Sequence, residues 1–567
     1  MSPARRFGGE DIPEIRFVYS LSFEKNLCVL CSKIYYSMSK VYDYIVIGSG
    51  FGGSVSSMRL SEKGYSVAVL EKGKKYETKD FPKNNWNIKK YLWIPMLRCF
   101  GIQKLTVFKE AFILSGVGVG GGSLVYANTL MQPDDKFYNN KVWAHLKDWK
   151  KTLDPFYDKA RFMLGVVRNP KFYEADNVLR EIAKDMGKES SFEGVNVGVS
   201  YGDTKKFTDP YFKGMGPERL GCIECAECMV GCRHHAKNTL DKNYLWFAQK
   251  FGTAIFPETL VEKVEFIDDT YHIHTVKSTA WLQWNKTVYK SKGIVFSGGV
   301  LGTMDLLLKQ KYKYKTLDKL SDKLGFNLRT NSESLCGISD ANKKLNDGVA
   351  ITSIFNPDEH THIEVVKFGE GSNSMKLLAT LATGKGIPVV RTFKMIGNII
   401  MSPMKYFRLL FGKNWSTNTT ILLVMQTFDN SMRMAYSSIR GMYIKNDGPE
   451  KVPAYIESGQ NVMHRFAEKV NGTAGNGILE VMFDLTTTAH IMGGCPMGTT
   501  AEEGVVNHEF KAFGYPDMYV LDGSIIPCNL GVNPSLTITA LSEYAMSCIP
   551  KKQGTEKKTL DELLATA

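Results

Sequence analysis

Long apolar runs are what this chain of 567 residues plainly lacks. No stretch reaches the roughly 18 consecutive apolar residues that a membrane-spanning helix needs, so no transmembrane segment is expected. A secretory leader is not expected either. Arg5 and Arg6 precede a mixed stretch ending at Ser37, with neither a clean apolar block nor a small-residue cleavage site. Residues 1–40 are set apart as an N-terminal extension without an assigned role, Met38 making a natural alternative start, and the expected location is cytoplasmic. The 11 cysteines do not form the dense framework of a small secreted protein, and four of them crowd between Cys222 and Cys232. That distribution points to a reducing compartment and one local cluster. A nucleic-acid signature is also absent. The net charge is +13, but the basic residues are scattered and no helix-turn-helix or RNA-binding motif accompanies them, so nucleic acid is not an expected partner. The charge leaves room for an anionic cofactor or an anionic lipid surface.

What is present is ordinary globular material, 43% hydrophobic and 23% charged. The length exceeds what one simple core accommodates, which predicts two domains, interleaved along the chain.

The apolar run Tyr44-Ile45-Val46-Ile47 reads as a buried strand leading into Gly48-Ser49-Gly50-Phe51-Gly52-Gly53. Val55, Met58 and Leu60 follow at helical spacing, with Gly64 as a stop. Val67-Ala68-Val69-Leu70 supplies a second buried strand, and Glu71 ends it about 20 residues beyond the glycines, where a dinucleotide fingerprint places its acid. Gly48 allows the tight turn, Gly50 lets a pyrophosphate approach the backbone, and Gly53 lets helix pack on strand. The phosphates would meet the helix N-terminus, and Glu71 would accept from ribose hydroxyls. The fingerprint alone leaves NAD and FAD both open.

A second glycine-rich loop, Ser115 to Ser123, includes Gly118, Gly121 and Gly122 and runs on to Asn128 through apolar residues. Glycine loses the most conformational freedom on ordering, so such a run between apolar flanks marks a place where backbone touches something. Near the other end stand His490-Ile491-Met492-Gly493-Gly494-Cys495-Pro496, then Leu521-Asp522-Gly523-Ser524, then Gly531-Val532-Asn533-Pro534-Ser535.

From about Tyr42 to Met546 this ordered set of motifs resembles the glucose, methanol and choline (GMC) oxidoreductase family, and within it the cholesterol oxidases. The resemblance implies FAD rather than NAD, held by the two glycine loops with Ser123 and Asn128, by the Val261 backbone at the adenine, and by Asp522 and Gly523 near the ribityl or phosphate. It implies His490 and Asn533 at the flavin ring, an apolar alcohol or sterol as substrate, and dioxygen or another electron acceptor as partner. The residues agree with that placement. Asn533 before Pro534 reads as an N-cap with proline at the first helical position, so a helix there would aim its positive end at whatever lies in front. Histidine suits acceptance of an alcohol proton near neutral pH.

Thr361-His362-Ile363-Glu364-Val365-Val366 reads as a strand, and the resemblance makes Glu364 the acid that would move a ring double bond after oxidation; a solvated strand charge is the alternative and Glu370 is its rival. Two aromatic and aliphatic stretches punctuated by lysine and arginine, Trp86 to Phe100 and Phe393 to Phe411, suit helices resting on an anionic membrane face, or core helices with charged edges.

Cys222, Cys225, Cys228 and Cys232 have the C-x2-C-x2-C-x3-C spacing of ferredoxin-type iron-sulfur sites, with Arg233 where such sites carry proline. Four thiolates so close could also hold zinc, or simply brace a loop. A cluster there would make the enzyme a dehydrogenase for a long-chain alcohol or a sugar. The third alternative is a flavin- or metal-bearing membrane-docking protein without catalysis.

The expected fold is α/β: a Rossmann-like doubly wound FAD-binding domain from residues 41–135, 205–330 and 485–548, interleaved with a substrate-binding domain from 136–204 and 331–484. The latter is built on a mostly antiparallel sheet with covering helices. Residues 549–567 form a tail.

Overall fold

The computed structural model describes residues 40–281, 285–428, 430–448 and 451–567; the sequence reading of residues 1–39 falls outside it. The apolar run at the start forms Val41–Ile47 (β1), and the second run forms Val67–Leu70 (β2). Both are apolar on consecutive residues because the sheet is covered on both faces, as parallel sheets are. Ala254–Phe256 (β3), Thr259–Ile267 (β4), Thr270–Lys277 (β5) and Lys286–Phe296 (β6) complete the order β3-β2-β1-β6-β5-β4. β1 lies parallel between its neighbours, with Ile45 opposite Ala68 and Ile294. Phe51–Glu62 (α1) follows β1, and Gly299–Leu308 (α2) follows β6.

A second sheet contains Ser334–Ser339 (β7), Ile351–Phe355 (β8), Thr361–Val366 (β9), Ala379–Leu381 (β10), Thr420–Gln426 (β11) and Thr473–Gly477 (β12), in the order β10-β12-β7-β11-β9-β8, with the short strand Glu193–Gly194 at its edge. Every pairing in it is antiparallel. Its side chains alternate with the two-residue period of the pleat. Cys336, Ile338, Ile363, Val365, Leu422 and Val424 pack in one cluster with the helices Glu174–Asp185 and Glu457–Lys469. Leu335, Val366, Ile421 and Leu423 face the other way, toward a cavity. This parity decides the site: Glu364 belongs to the second set.

Met518–Val520 (β13), near the C-terminus, returns to pair parallel with β6. Pro388–Met401 (α3) and Pro403–Phe411 (α4) lie one after the other on the surface of the second sheet's domain, and Ser535–Ser547 (α5) packs on α1. α1 is buried along its whole length, and Arg59 within it bonds Glu62 at 2.8 Å and Glu543 of α5 at 2.7 Å. The Trp86 to Phe100 stretch does not form an amphipathic helix. Pro95 and a left-handed Arg98 break it into a one-turn helix, a 3-10 turn and two short strands. Among the described residues no helix is long and apolar enough to cross a membrane.

Candidate active site

The turn after β1 is built by steric exclusion. Gly48 adopts φ +95°, and a Cβ there would stand 2.3 Å from the Ser297 carbonyl oxygen; at Gly52 it would stand 1.7 Å from the Leu521 oxygen, and at Gly53 2.1 Å from the Gly48 oxygen. These glycines let α1 settle onto the strands. Gly50 differs, since a Cβ added there meets nothing within 4 Å. It faces an open cleft of about 2290 Å³. The second glycine loop packs on the first, with Gly121 so close to Gly50 that a Cβ would lie 2.7 Å from the Gly50 Cα.

That cleft brings together residues from both ends of the chain. Gly48, Gly50, Glu71, Gly121, Gly122, Val261, His490, Asp522, Gly523 and Asn533 all line it. Other expected positions lie behind the wall. Gly53 does the packing just described. The Gly118 carbonyl accepts from the Ser49 hydroxyl at 3.3 Å, and Ser123 is buried, accepting from the Leu240 N–H at 3.1 Å. Asn128 faces a different cavity. Glu71 ends β2 as expected, and its carboxylate accepts from the Ser49 N–H at 3.1 Å and the Gly73 N–H at 2.8 Å, steadying the loop it would share with a ribose. Burial pushes the Asp522 carboxyl above the usual range, while its oxygens accept from the Ser524 N–H at 2.9 Å and the Thr303 hydroxyl at 2.5 Å.

Lys72 and Lys104 also line the cleft and were not singled out from sequence. Burial, followed by the neighbouring Lys72 charge, holds the Lys104 ammonium down to about 8. The bare backbone at Gly50, with positive charge from Lys72 and Lys104 elsewhere on the cleft wall, fits the diphosphate of a dinucleotide such as FAD.

At the far end of the cleft, Ala489 and His490 follow the short strand Thr486–Thr488. The His490 N–H donates to the Thr488 hydroxyl at 2.9 Å, and its Nδ1 is bonded to the Glu333 carboxylate, whose second oxygen accepts from the Ala489 N–H at 2.9 Å. Burial by itself pushes the imidazole down, but the Glu333 charge beside it and the Glu364 charge farther off outweigh that, and the net shift is upward. With Nδ1 engaged, Nε2 is the nitrogen left for a group in the cleft. Glu333 is 1% exposed and was missed by sequence reading. It follows Asn331 and Ser332, both at positive φ, in a loop before β7 that carries no motif of its own.

Asn533 stands opposite, but not as the helix cap expected. α5 begins at Ser535 with Pro534 as its N-cap, and Asn533 instead donates from Nδ2 to the Glu364 carboxylate at 3.3 Å. The competing attraction of a buried carboxylate outweighs a cap bond. Glu364 is fully buried, which removes the solvated-charge alternative, whereas Glu370 is exposed. Oδ1 of Asn533 and Oε1 of Glu364 have no hydrogen-bond partner. Buried polar atoms left so are costly; Asn533 lines the cleft, where an incoming polar group would satisfy it, while Oε1 of Glu364 lies behind it, 3.6 Å from His362 Nε2.

A second, mostly apolar pocket adjoins this end, sharing Leu114, Leu335, Met375, Ile421 and Thr487 with the cleft. Leu409 of α4 forms part of its wall. Outside, Phe393, Ile400, Met401, Phe407 and Phe411 of α3 and α4 are exposed, Met401 to 83%.

Cys222, Cys225, Cys228 and Cys232 line a small separate cavity, and none is disulfide-bonded. Among the described residues, Cys225, Glu227 and His234 form the one group of three ligand atoms within 4.8 Å of one another. Four thiolates gathered on a single zinc are therefore not what the geometry shows.

The family model described as GMC oxidoreductase matches residues 430–542. A cholesterol oxidase of Mycobacterium tuberculosis (strain CDC 1551 / Oshkosh) is 42% identical over 540 residues, covering 92% of this chain and 93% of that protein. A cholesterol oxidase of Acinetobacter baumannii is 39% identical over 93% of this chain and 98% of its own length. Among solved structures, pyridoxine 4-oxidase from Mesorbium loti superposes with a TM-score of 0.56 at 13% identity, covering 89% of this chain and 98% of the other, a likeness of fold.

Proposed function

Because the chain belongs to the GMC oxidoreductase family of FAD enzymes acting on CH–OH donors, we propose that it oxidises the secondary hydroxyl of a sterol to a ketone, with His490 and Asn533 addressing that hydroxyl. One observation carries the reading: two side chains from segments far apart in sequence line the same cleft, at the end where it adjoins an apolar chamber. Bound FAD supplies a hydride acceptor. His490, its Nδ1 fixed by Glu333, takes the hydroxyl proton at Nε2. Asn533 offers its unpartnered Oδ1 to the same region while Nδ2 stays on Glu364. The α5 N-terminus, with Pro534, Ser535 and Ile538 on the cleft wall, favours negative charge there. In this reading Glu364, bonded to Asn533, exchanges a proton and so shifts a double bond into conjugation with the new ketone. Dioxygen is the terminal acceptor in this reading.

Uptake follows from the same geometry. The exposed apolar faces of α3 and α4, with Lys394, Lys405 and Arg408 among them, rest on an anionic membrane surface and place the apolar chamber under the lipid.

The test is anaerobic addition of cholesterol to the flavin-loaded protein. Bleaching of the flavin and return of colour in air supports the reading; colour unchanged by cholesterol but bleached by a small alcohol or a sugar refutes the substrate assignment.

A further inference from the structure

The cysteine cavity is not used by the chemistry above. Cys222, Cys225, Cys228 and Cys232 all line it, yet no three of their sulfurs lie within 4.8 Å of one another. Sulfurs about 2.3 Å from one tetrahedral ion would stand under about 4 Å apart, so these surround a larger volume than a single metal fills. Backbone N–H groups already point at three of the sulfurs. The Glu224 N–H donates to the Cys222 sulfur at 3.3 Å, and the backbone N–H groups of Glu227 and Ala350 donate to Cys225 and Cys228.

Two buried basic side chains near the cavity make no ion pair among the described residues. Lys237 is 1% exposed and has no carboxylate partner; its ammonium donates to the carbonyls of Leu124 at 3.0 Å and Cys228 at 2.8 Å. Arg219, 2% exposed, donates only to carbonyl oxygens of His235, Lys237 and Asn238. Buried cations are ordinarily paired. Asn128 is fully buried on the cavity wall, with its amide nitrogen directed at the Cys228 sulfur and its amide oxygen without a hydrogen-bond partner. An anionic group inside the cavity would pair with Lys237, which stands on its wall.

We infer that the four cysteines ligate a polynuclear iron-sulfur cluster, walled off from the flavin cleft by the Ala127-Asn128-Thr129 segment and Met229. Ala127, Thr129 and Met229 line the cleft while Asn128 lines the cysteine cavity. Ligation replaces four S–H bonds with four iron–sulfur bonds and releases four protons to solvent. Assembled from two ferrous and two ferric ions with four sulfides, the core forms without net oxidation or reduction, and those iron salts and sulfide are the co-reactants. Only one set of four cysteines with this spacing is present, so the fourth closes the same cluster.

The experiment uses the full chain, purified without oxygen, treated with equal amounts of ferrous and ferric iron and with sulfide, desalted, and assayed for iron, acid-labile sulfide and zinc. The expected result is about four iron and four sulfide per chain, with a paramagnetic signal after dithionite reduction. Cys225→Ser and Cys232→Ser, at partly exposed positions, should lose most of that iron, while Cys548→Ser, exposed and remote, should keep it. Stoichiometric zinc in place of iron, or a folded unsubstituted protein holding under about one-tenth of the expected iron, would overturn the inference. So would iron that the two cysteine substitutions leave undiminished. The unsubstituted protein's metal content decides the matter even if a variant fails to fold.

Discussion

Replacing Glu333 by glutamine tests the proposed proton chemistry most directly, because it keeps shape and removes charge. In the present geometry the carboxylate sits on His490 Nδ1 and raises an imidazole that burial alone would lower. A hydrogen bond to a charged group is worth about 1.5–3 kcal/mol. Losing it should bring the His490 pKa down. The sign follows from the role: a base must be unprotonated, so activity falls as pH drops through the His490 pKa, and the acid limb of kcat/KM should move to lower pH in Glu333→Gln. The same energy lost from the transition state lowers kcat/KM at the plateau by roughly 10- to 150-fold. The assay is steady-state turnover with a sterol across pH, with flavin content measured on every sample. An acid limb that stays in place, or moves upward, would refute the proposed coupling, whatever happens to the plateau.

His490→Gln should retain bound flavin and lose roughly 100-fold or more in turnover, the range of general acid and base groups; full turnover with flavin bound would remove it from the reaction. Glu364→Gln should spare alcohol oxidation and block double-bond migration, so a conjugated ketone among its products would count against the assignment. Gly50→Ala and Gly52→Ala should separate cofactor binding from folding. The first has φ −71° and free space, so it should fold and bind FAD at least about tenfold more weakly, whereas the second drives a methyl into the Leu521 carbonyl and should not fold stably. Calorimetric titration with FAD and thermal melting distinguish these outcomes. Serine at Phe393, Ile400 and Phe407 together should weaken sedimentation with anionic vesicles by roughly tenfold or more, each side chain contributing about 1.5–3 kcal/mol when fully buried in lipid; unchanged sedimentation would remove α3 and α4 from the membrane-contact reading.

Local patterns were readable and distant partners were not. The strand, turn and helix at Val41 to Glu62 announce themselves because glycine and apolar periodicity act within a dozen residues. His490 and Asn533 could be picked out by their motifs, but the helix start was misplaced at Asn533. Its N-cap role is a local preference, and Glu364, 169 residues away in sequence, overrides it. Glu333 had no signal, since its significance comes entirely from lying against an imidazole 157 residues downstream. The Trp86 to Phe100 stretch shows the reverse error. Its composition suits an amphipathic helix, yet Pro95 and the left-handed Arg98 interrupt it. The apolar chamber is invisible in sequence because it is enclosed by residues from many separate segments.

The clasp between Arg59 and Glu543 spans 484 positions. Ribosomes add about 5–20 residues each second, so the leading helix waits on the order of 25 to 100 s for the element that covers it. Through that interval a nascent chain carries an uncovered nucleotide fold and an open sheet edge beside β6. Holdase chaperones, slowed translation or early flavin capture should each raise the yield of folded protein, whereas a message truncated before the last fifty codons should yield only aggregate.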